Sequence, residues 1–545
     1  MAAGTLLDDV LGHLAAGTPE STRDACLAAA EDVGPAALGM AALADFWLGD
    51  FAAGTRHAQA GLARAGDDRT RALCLAAAYL AAAGDLAAEA VDEDELRLLL
   101  AGADDASSRW WSAVRYVASE AALVGARIGT AAALDATGPP AGAAWTGHPF
   151  APVMWICQAR IAAFSGRIDP ARAILPSVRT TVVADSRLAS VTEAVTVLIE
   201  GNAGDADGIR IAADIAAQVP DQPRDFIDRG ALLLLAFGAI AVYDVRTAAG
   251  LAFRAGADAG LSHCTLIDRA LCFEMFLNAA LLEEDAEAVG TWLEALAELG
   301  EHPATAPSVR RARARVALAA GDTDAAIALL GPSIEACLAD ERAVEAAEGQ
   351  ILLGRARILA RDVGTASREL RALVVDSDRT GFGAVRRAAV ATLASSGRRL
   401  PPVAGGGWDV LSEREQEVAR HVLLGQEVDD IATALFLSPA TVRAHISRVL
   451  CAFGVPTRIG LLAAVGTMSR DVPQPPPARL SPRQAEVAQQ VAQGATNQQI
   501  AAELGISVKG VEKHVGDVLA RWGVRSRFEI ARVWWGSDDV TAAAT

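Results

Sequence analysis

The sequence predicts an all-α protein, an N-terminal α-solenoid of helical hairpins followed by two four-helix modules. Two observations carry this: an Ala/Leu-rich phrase broken by Gly-Asp-like turns recurs through the first 400 residues, and a 48-residue segment near the C-terminus occurs twice. The composition agrees. Of 545 residues 52% are apolar, enough for several folded domains and too many for disorder outside linkers.

The recurring phrase is clearest at Trp47–Ala60, Ala81–Ala90, Ala163–Leu175, Val316–Leu330 and Ile358–Leu370. With weaker copies, turns fall at positions 17, 50, 85, 126, 167, 205, 244, 285, 322 and 362, in steps of roughly 33 to 41 residues. That period fits stacked hairpins of the tetratricopeptide kind, each of about 34 residues. A hairpin closed through Ala and Gly leaves an apolar flank that only a neighbouring hairpin can bury. Gly49, Gly84 and Gly321 are placed to end helices in the left-handed conformation. Residues 1–400 are therefore read as a tetratricopeptide-like sensor or interaction domain; an irregular all-α domain is the competing reading. Trp110, Trp111, Trp145 and Trp155 read as core anchors between hairpins, with a ligand groove as their other use.

PPVAGGG opens a linker over 401–409, and a proline-rich spacer, MSRDVPQPPPA, occupies 468–478. Between and beyond them lie the modules, 410–467 and 479–536, with 537–545 as a disordered tail. From Leu411 and Leu480 the copies align without a gap at an offset of 69, and 19 of 48 positions are identical. Ser412 with Glu415, and Ser481 with Gln484, form capping-box patterns that start a first helix, which Gly425 and Gly494 stop. A short second helix runs through Ile431–Leu435 or Ile500–Leu504, and Ser438 or Ser507 caps a third. Gly454 and Gly523 end that helix, and a fourth begins near Thr457 or Ser526. Two short helices joined by a tight turn are the helix-turn-helix layout.

The residues LSERE, GQEVDDIA, SPATVRAH and GVPTR of the first copy, and LSPRQ, GATNQQIA, SVKGVEKH and GVRSR of the second, resemble the LuxR-type helix-turn-helix domain of bacterial transcription regulators. The likeness covers about 120 of 545 residues. It implies a sequence-specific DNA-binding transcriptional regulator that enters the major groove with the third helix of one or both modules, and not an enzyme. Large relatives usually carry an ATPase upstream, and two-component relatives a phosphoacceptor domain; both rely on lysine. The chain has two lysines only, Lys509 and Lys513, and neither lies in a GxxxxGK loop.

A helical wheel points Val442, Ile446, Val449 and Phe453 of the first copy, and Val511, Val515, Val518 and Trp522 of the second, to the core. The opposite faces supply the expected DNA-binding residues: Thr441, Arg443, Ala444, Ser447 and Arg448, and Lys509, Glu512, Lys513 and Gly516. By analogy with the family, Arg443, Ala444, Ser447, Glu512, Lys513 and Gly516 face bases. Small side chains let the helix sink into the groove while long cations reach guanine edges or phosphates. Each copy departs from the pattern, the second at Gly510 and Glu512, the first at Asp429 and Asp430. His445 and His514 are expected to pack or face phosphate.

The net charge is −18, from 49 basic and 67 acidic groups. It is unevenly spread: residues 1–407 carry −17, 408–467 carry −2 and 478–535 carry +3. The second module is thus the better electrostatic anchor. Eleven spacer residues at about 3.1 Å each reach roughly 34 Å, the distance between half-sites one helical turn apart, so the modules are expected to act as an intrachain pseudo-dimer.

Catalysis finds no support: there is no nucleophile–base pair, no HxxxH or HExxH, and no metal or cofactor motif. Asp8 and Asp9 precede any apolar run, the run Ala231–Tyr243 is too short to span a bilayer, and seven scattered cysteines suggest reduced thiols, so a cytoplasmic protein without membrane contact is expected. The expected partners are double-stranded DNA, a protein or small-molecule effector on the helical repeat, RNA polymerase, and a second copy in a homodimer. The alternative is a helical-repeat scaffold whose helix-turn-helix pair docks proteins.

Overall fold

A computed structural model of the chain describes residues 3–88, 91–103, 105, 108–182, 186–205, 211–256, 258–300, 302–395, 407–455, 457–466 and 479–536. Among the described residues every element is helical and no strand occurs. The chain divides into two compact units, Met1–Arg399 and Leu400–Thr545.

In the first unit each of the ten turn positions lies between two helices. Thus Ala36–Leu48 gives way to Phe51–Leu62 at Gly49-Asp50, and Ala306–Ala319 to Thr323–Ala339 at Gly321-Asp322. The local cause repeats. A left-handed residue closes one helix and the aspartate after it caps the next: Asp50, Asp285 and Asp322 each accept at 3.0 Å from the backbone N–H three residues on, at Ala53, Ala288 and Ala325. Glycine takes the left-handed position at Gly49 and Gly321, with φ of 82° and 81°, but Tyr243, Glu284 and Arg361 take it too, at 66°, 57° and 67°. Gly84 departs from expectation, for its φ is not positive. A Cβ there would meet the Phe51 ring at 2.2 Å, so close approach is what requires glycine.

One apolar core runs from Leu6 to Ala388. Trp110, Trp111 and Trp145 are buried in it and Trp155 packs against it. Helices Leu188–Ala203 and Phe226–Ala241 touch through glycine: a Cβ on Gly201 would lie 2.5 Å from the Gly238 carbonyl oxygen. Contacts are not confined to neighbouring hairpins. Leu266 N–H donates to the Ala83 carbonyl at 2.9 Å and Gly129 N–H to Asp340 at 3.1 Å, so segments some 200 residues apart in sequence meet.

The second unit contains a 3-10 turn, Gly407–Val410, then helices Glu413–Leu423, Val428–Ala434, Pro439–Ala452 and Arg458–Gly466, and again Pro482–Ala492, Asn497–Leu504, Val508–Trp522 and Arg527–Gly536. Capping boxes are formed at Ser412 and Glu415 and at Ser481 and Gln484. Gly425, Gly454, Gly494 and Gly523 are left-handed at helix ends. Trp408 packs edge-on against Phe453, with centroids 5.4 Å apart, so packed residues begin within the stretch read as the 401–409 linker. Residues 401–406, the 468–478 spacer and the 537–545 tail lie outside the described residues.

The two copies pack on each other. Leu462, from the fourth helix of the first copy, is buried in the core of the second, with Ile459 and Leu423 against the same core. A Cβ on Gly425 would lie 3.3 Å from the Phe528 ring, and Gly494 sits beside Gly460. At the offset of 69, Gly425 corresponds to Gly494 and Phe528 to Ile459. Each glycine thus faces the start of the other copy's fourth helix, Gly494 one residue beyond the position equivalent to Phe528, so the contact is approximately two-fold, near to an isologous one. Its symmetry is imperfect: Arg532 donates to the Leu424 carbonyl at 3.4 Å, and the first copy has Ala463 at that place.

Candidate nucleic-acid interface

The third helix of each copy is positioned from its N-terminus. Ser438 Oγ accepts from Thr441 N–H, and Ser507 Oγ from Gly510 N–H, both at 3.1 Å, satisfying donors that the first turn leaves free. Val442, Ile446 and Val449, and Val511, Val515 and Val518, are buried and fix the rotation of each helix. Phe453 and Trp522 are only partly buried. With that face anchored, Thr441, Arg443, Ala444, Ser447 and Arg448 are all exposed, as are Lys509, Glu512, Lys513 and Gly516. The structure thus brings each set together on one solvent-facing strip.

The cations are not equivalent. Arg448 Nη1 lies 3.2 Å from Glu415 Oε1, across 33 residues of sequence, and His445 Nδ1 is 3.8 Å from the same oxygen. Burial pushes the Glu415 carboxyl up, but the Ser412 N–H and hydroxyl and the Arg448 guanidinium outweigh it and hold the carboxyl below the usual range. In the second copy Gln484 replaces Glu415 and Asp517 replaces Arg448. Among the described residues Arg443, Lys509 and Lys513 form no ion pair, which leaves them free for an external anion. The Thr441 hydroxyl is engaged with Ser438 Oγ at 2.7 Å.

Two arginines that sequence reasoning left without a role have one here. Arg414 bonds Glu417 at 2.6 Å and the Leu435 carbonyl; Arg483 bonds Glu486 at 2.5 Å and the Leu504 carbonyl. Each ties the first helix of its module to the end of the second. Their identity at the same register in both copies was the available signal. Asp429 and Asp430 are exposed, as is Phe436, left-handed at φ 54° where the second copy has Gly505 at 63°.

Two segments, 409–463 and 478–534, match the model of the family described as bacterial regulatory proteins, luxR family. A putative HTH-type transcriptional regulator, Rv0890c, of Mycobacterium tuberculosis is 41% identical over 56 residues, 10% of this chain and 6% of that protein. A probable transcriptional regulatory protein, NarL, of the same organism is 38% identical over 66 residues, 12% of this chain and 29% of that protein. The matches thus span less than a third of the length of these curated relatives. The matched family is one of non-catalytic DNA-binding regulators. No helix among the described residues is long and apolar enough to cross a membrane. Set beside the paired third helices, these matches support LuxR-type helix-turn-helix modules of transcription-factor kind at 409–463 and 478–534.

Proposed function

We propose that the chain is a sequence-specific transcriptional regulator of bacterial type, whose tandem modules contact the major groove through their third helices. The observation that carries this is the exposure of Arg443, Lys509 and Lys513 without ion pairs on the faces opposite the buried valines. The second module, locally +3, is the stronger anchor for phosphate and the first contributes Arg443 and Ser447. Arg448, paired to Glu415, contributes less. The approach of Gly425 to Phe528 and of Gly494 to Gly460, each at the start of the other copy's fourth helix, supports a pseudo-dimer reading of two non-identical half-sites.

In this reading residues 1–400 are a tetratricopeptide-like α-solenoid that receives an effector, and the protein acts in the cytoplasm on double-stranded DNA, with RNA polymerase and a second copy as further partners. A scaffold that docks proteins is favoured by one observation, the exposed Asp429, Asp430 and Glu512 beside the reading faces. Binding to mixed-sequence duplex that falls steeply with salt supports the DNA reading; absence of duplex binding in 50 mM salt overturns it. Genome-wide occupancy then identifies site and spacing.

A further inference from the structure

Helices of the first unit surround a cavity of about 200 Å³. Helix Leu266–Leu282 turns one face to it, with Asp268, Leu271, Glu274 and Asn278 at helical spacing. Helix Phe226–Ala241 supplies an apolar wall through Phe226, Leu233, Leu234 and Phe237. A mainly apolar cavity with a few convergent polar groups is the usual form of a small-molecule site.

The charges on its wall are ion-paired except at Arg229 and Asp268. Arg160 pairs with Glu120 at 2.6 Å, Arg311 with Glu274 at 2.5 Å and Arg342 with Glu345 at 2.6 Å, and Arg315 pairs with Glu348. Arg229 is 5% exposed and forms no ion pair among the described residues; its Nη2 donates to the Trp47 carbonyl at 2.8 Å. A guanidinium has five N–H donors in a planar fork, and burying a cation without an anion is among the most costly arrangements in a protein. Asp268 lines the cavity too, but its carboxyl accepts from Thr265 Oγ1 at 2.7 Å, and burial pushes it above the usual carboxylate range. A second, independent observation is Asn202: it lines the cavity, is 2% exposed, and its Oδ1 has no partner.

We propose that this cavity binds a small amphipathic monocarboxylate, its carboxylate on the Arg229 fork and its apolar chain between the Phe226–Ala241 and Leu266–Leu282 helices. Asp225, Asp228 and Asp268 lie near enough to favour the Arg229 charge without bonding it, and a ligand carboxylate, which Arg matches bidentately, supplies the direct pair. The free Asn202 oxygen takes a donor such as a hydroxyl on the chain. A volume below the roughly 300–1,000 Å³ of drug-sized sites sets a short chain as ligand. The assignment deepens the effector reading of residues 1–400 and rests on it, while ligand uptake is measured without DNA, so failure of either claim is separable from the other.

The test is calorimetric titration of the full chain with butanoate, hexanoate, octanoate and 1-octanol. Affinity is expected to rise about fourfold per added methylene until the cavity is full. Arg229→Gln is expected to weaken octanoate at least tenfold and leave 1-octanol unchanged, and Leu271→Phe to weaken both by occupying the chain's space. Octanoate that fails to saturate the chain, or binds Arg229→Gln as tightly as the parent, overturns the proposal. Should Arg229→Gln lose its cooperative melt, Leu271→Phe decides: reduced octanoate affinity supports the site, unchanged affinity overturns it.

Discussion

Replacing both lysines, Lys509→Ala with Lys513→Ala, tests the second module as the electrostatic anchor. Both lysines are exposed on helix Val508–Trp522 and neither forms an ion pair among the described residues. Alanine keeps the helix, so stability is expected to stay within about 0.5 kcal/mol. Each lost phosphate contact removes about 0.9 from the slope of log affinity against log salt. Two contacts remove about 1.8, so over a fourfold rise in salt, from 50 to 200 mM, the parent is expected to lose roughly 12-fold more affinity than the variant. Fluorescence anisotropy on a labelled mixed-sequence duplex reads this without knowledge of the target, and Arg443→Ala should change the slope by about 0.9 for one contact. A double variant whose slope matches the parent's, in a protein that melts normally, refutes the assignment.

Three further outcomes follow from the packing. Glu415→Gln removes a carboxylate whose folded pKa is depressed below about 4.5; such a group stabilises above its unfolded pKa and loses that as pH falls through the folded value. The stability gap between parent and variant should therefore be present at pH 6 and close only as the pH is lowered below the usual glutamate range, in urea melts, and the released Arg448 should raise the salt slope by up to about 0.9. Leu462→Ala, a change in the first copy, should cost about 2–5 kcal/mol in the core of the second, read as loss of its amide protection from hydrogen exchange. Gly201→Ala forces a Cβ toward the Gly238 carbonyl and should cost about 1–3 kcal/mol, whereas Gly290→Ala, with open space around it in helix Ala286–Glu298, should stabilise by about 0.5–1 kcal/mol; thermal melts of the pair compare them.

Local chemistry made much of this legible beforehand. Ser412, Ser438, Ser481 and Ser507 announced helix starts, and an aspartate following a turn announced the breaks between hairpins, because caps act within three residues. The exposed strips followed from a helical period and buried valines. What escaped was non-local. Arg448 meets Glu415 from 33 residues away, and nothing in the period of either helix reports that. Arg229, on the cavity wall, meets the Trp47 carbonyl from 182 residues away. Left-handed Tyr243, Glu284 and Arg361 were hidden because their side chains carry no turn signature. Gly84 departs from its expected role because a glycine kept for close approach looks, in one sequence, like a glycine kept for its φ.

The packing of Leu462 and Ile459 into the neighbouring copy bears on how occupancy follows protein level. A regulator built from separate subunits must first meet its twin, so at low abundance its bound fraction climbs with the square of concentration. Two modules joined in one chain and seated on each other need no such encounter. If both engage DNA and one chain suffices without a second copy, occupancy rises with the first power of protein concentration, and a cell with very few copies still obtains a graded response.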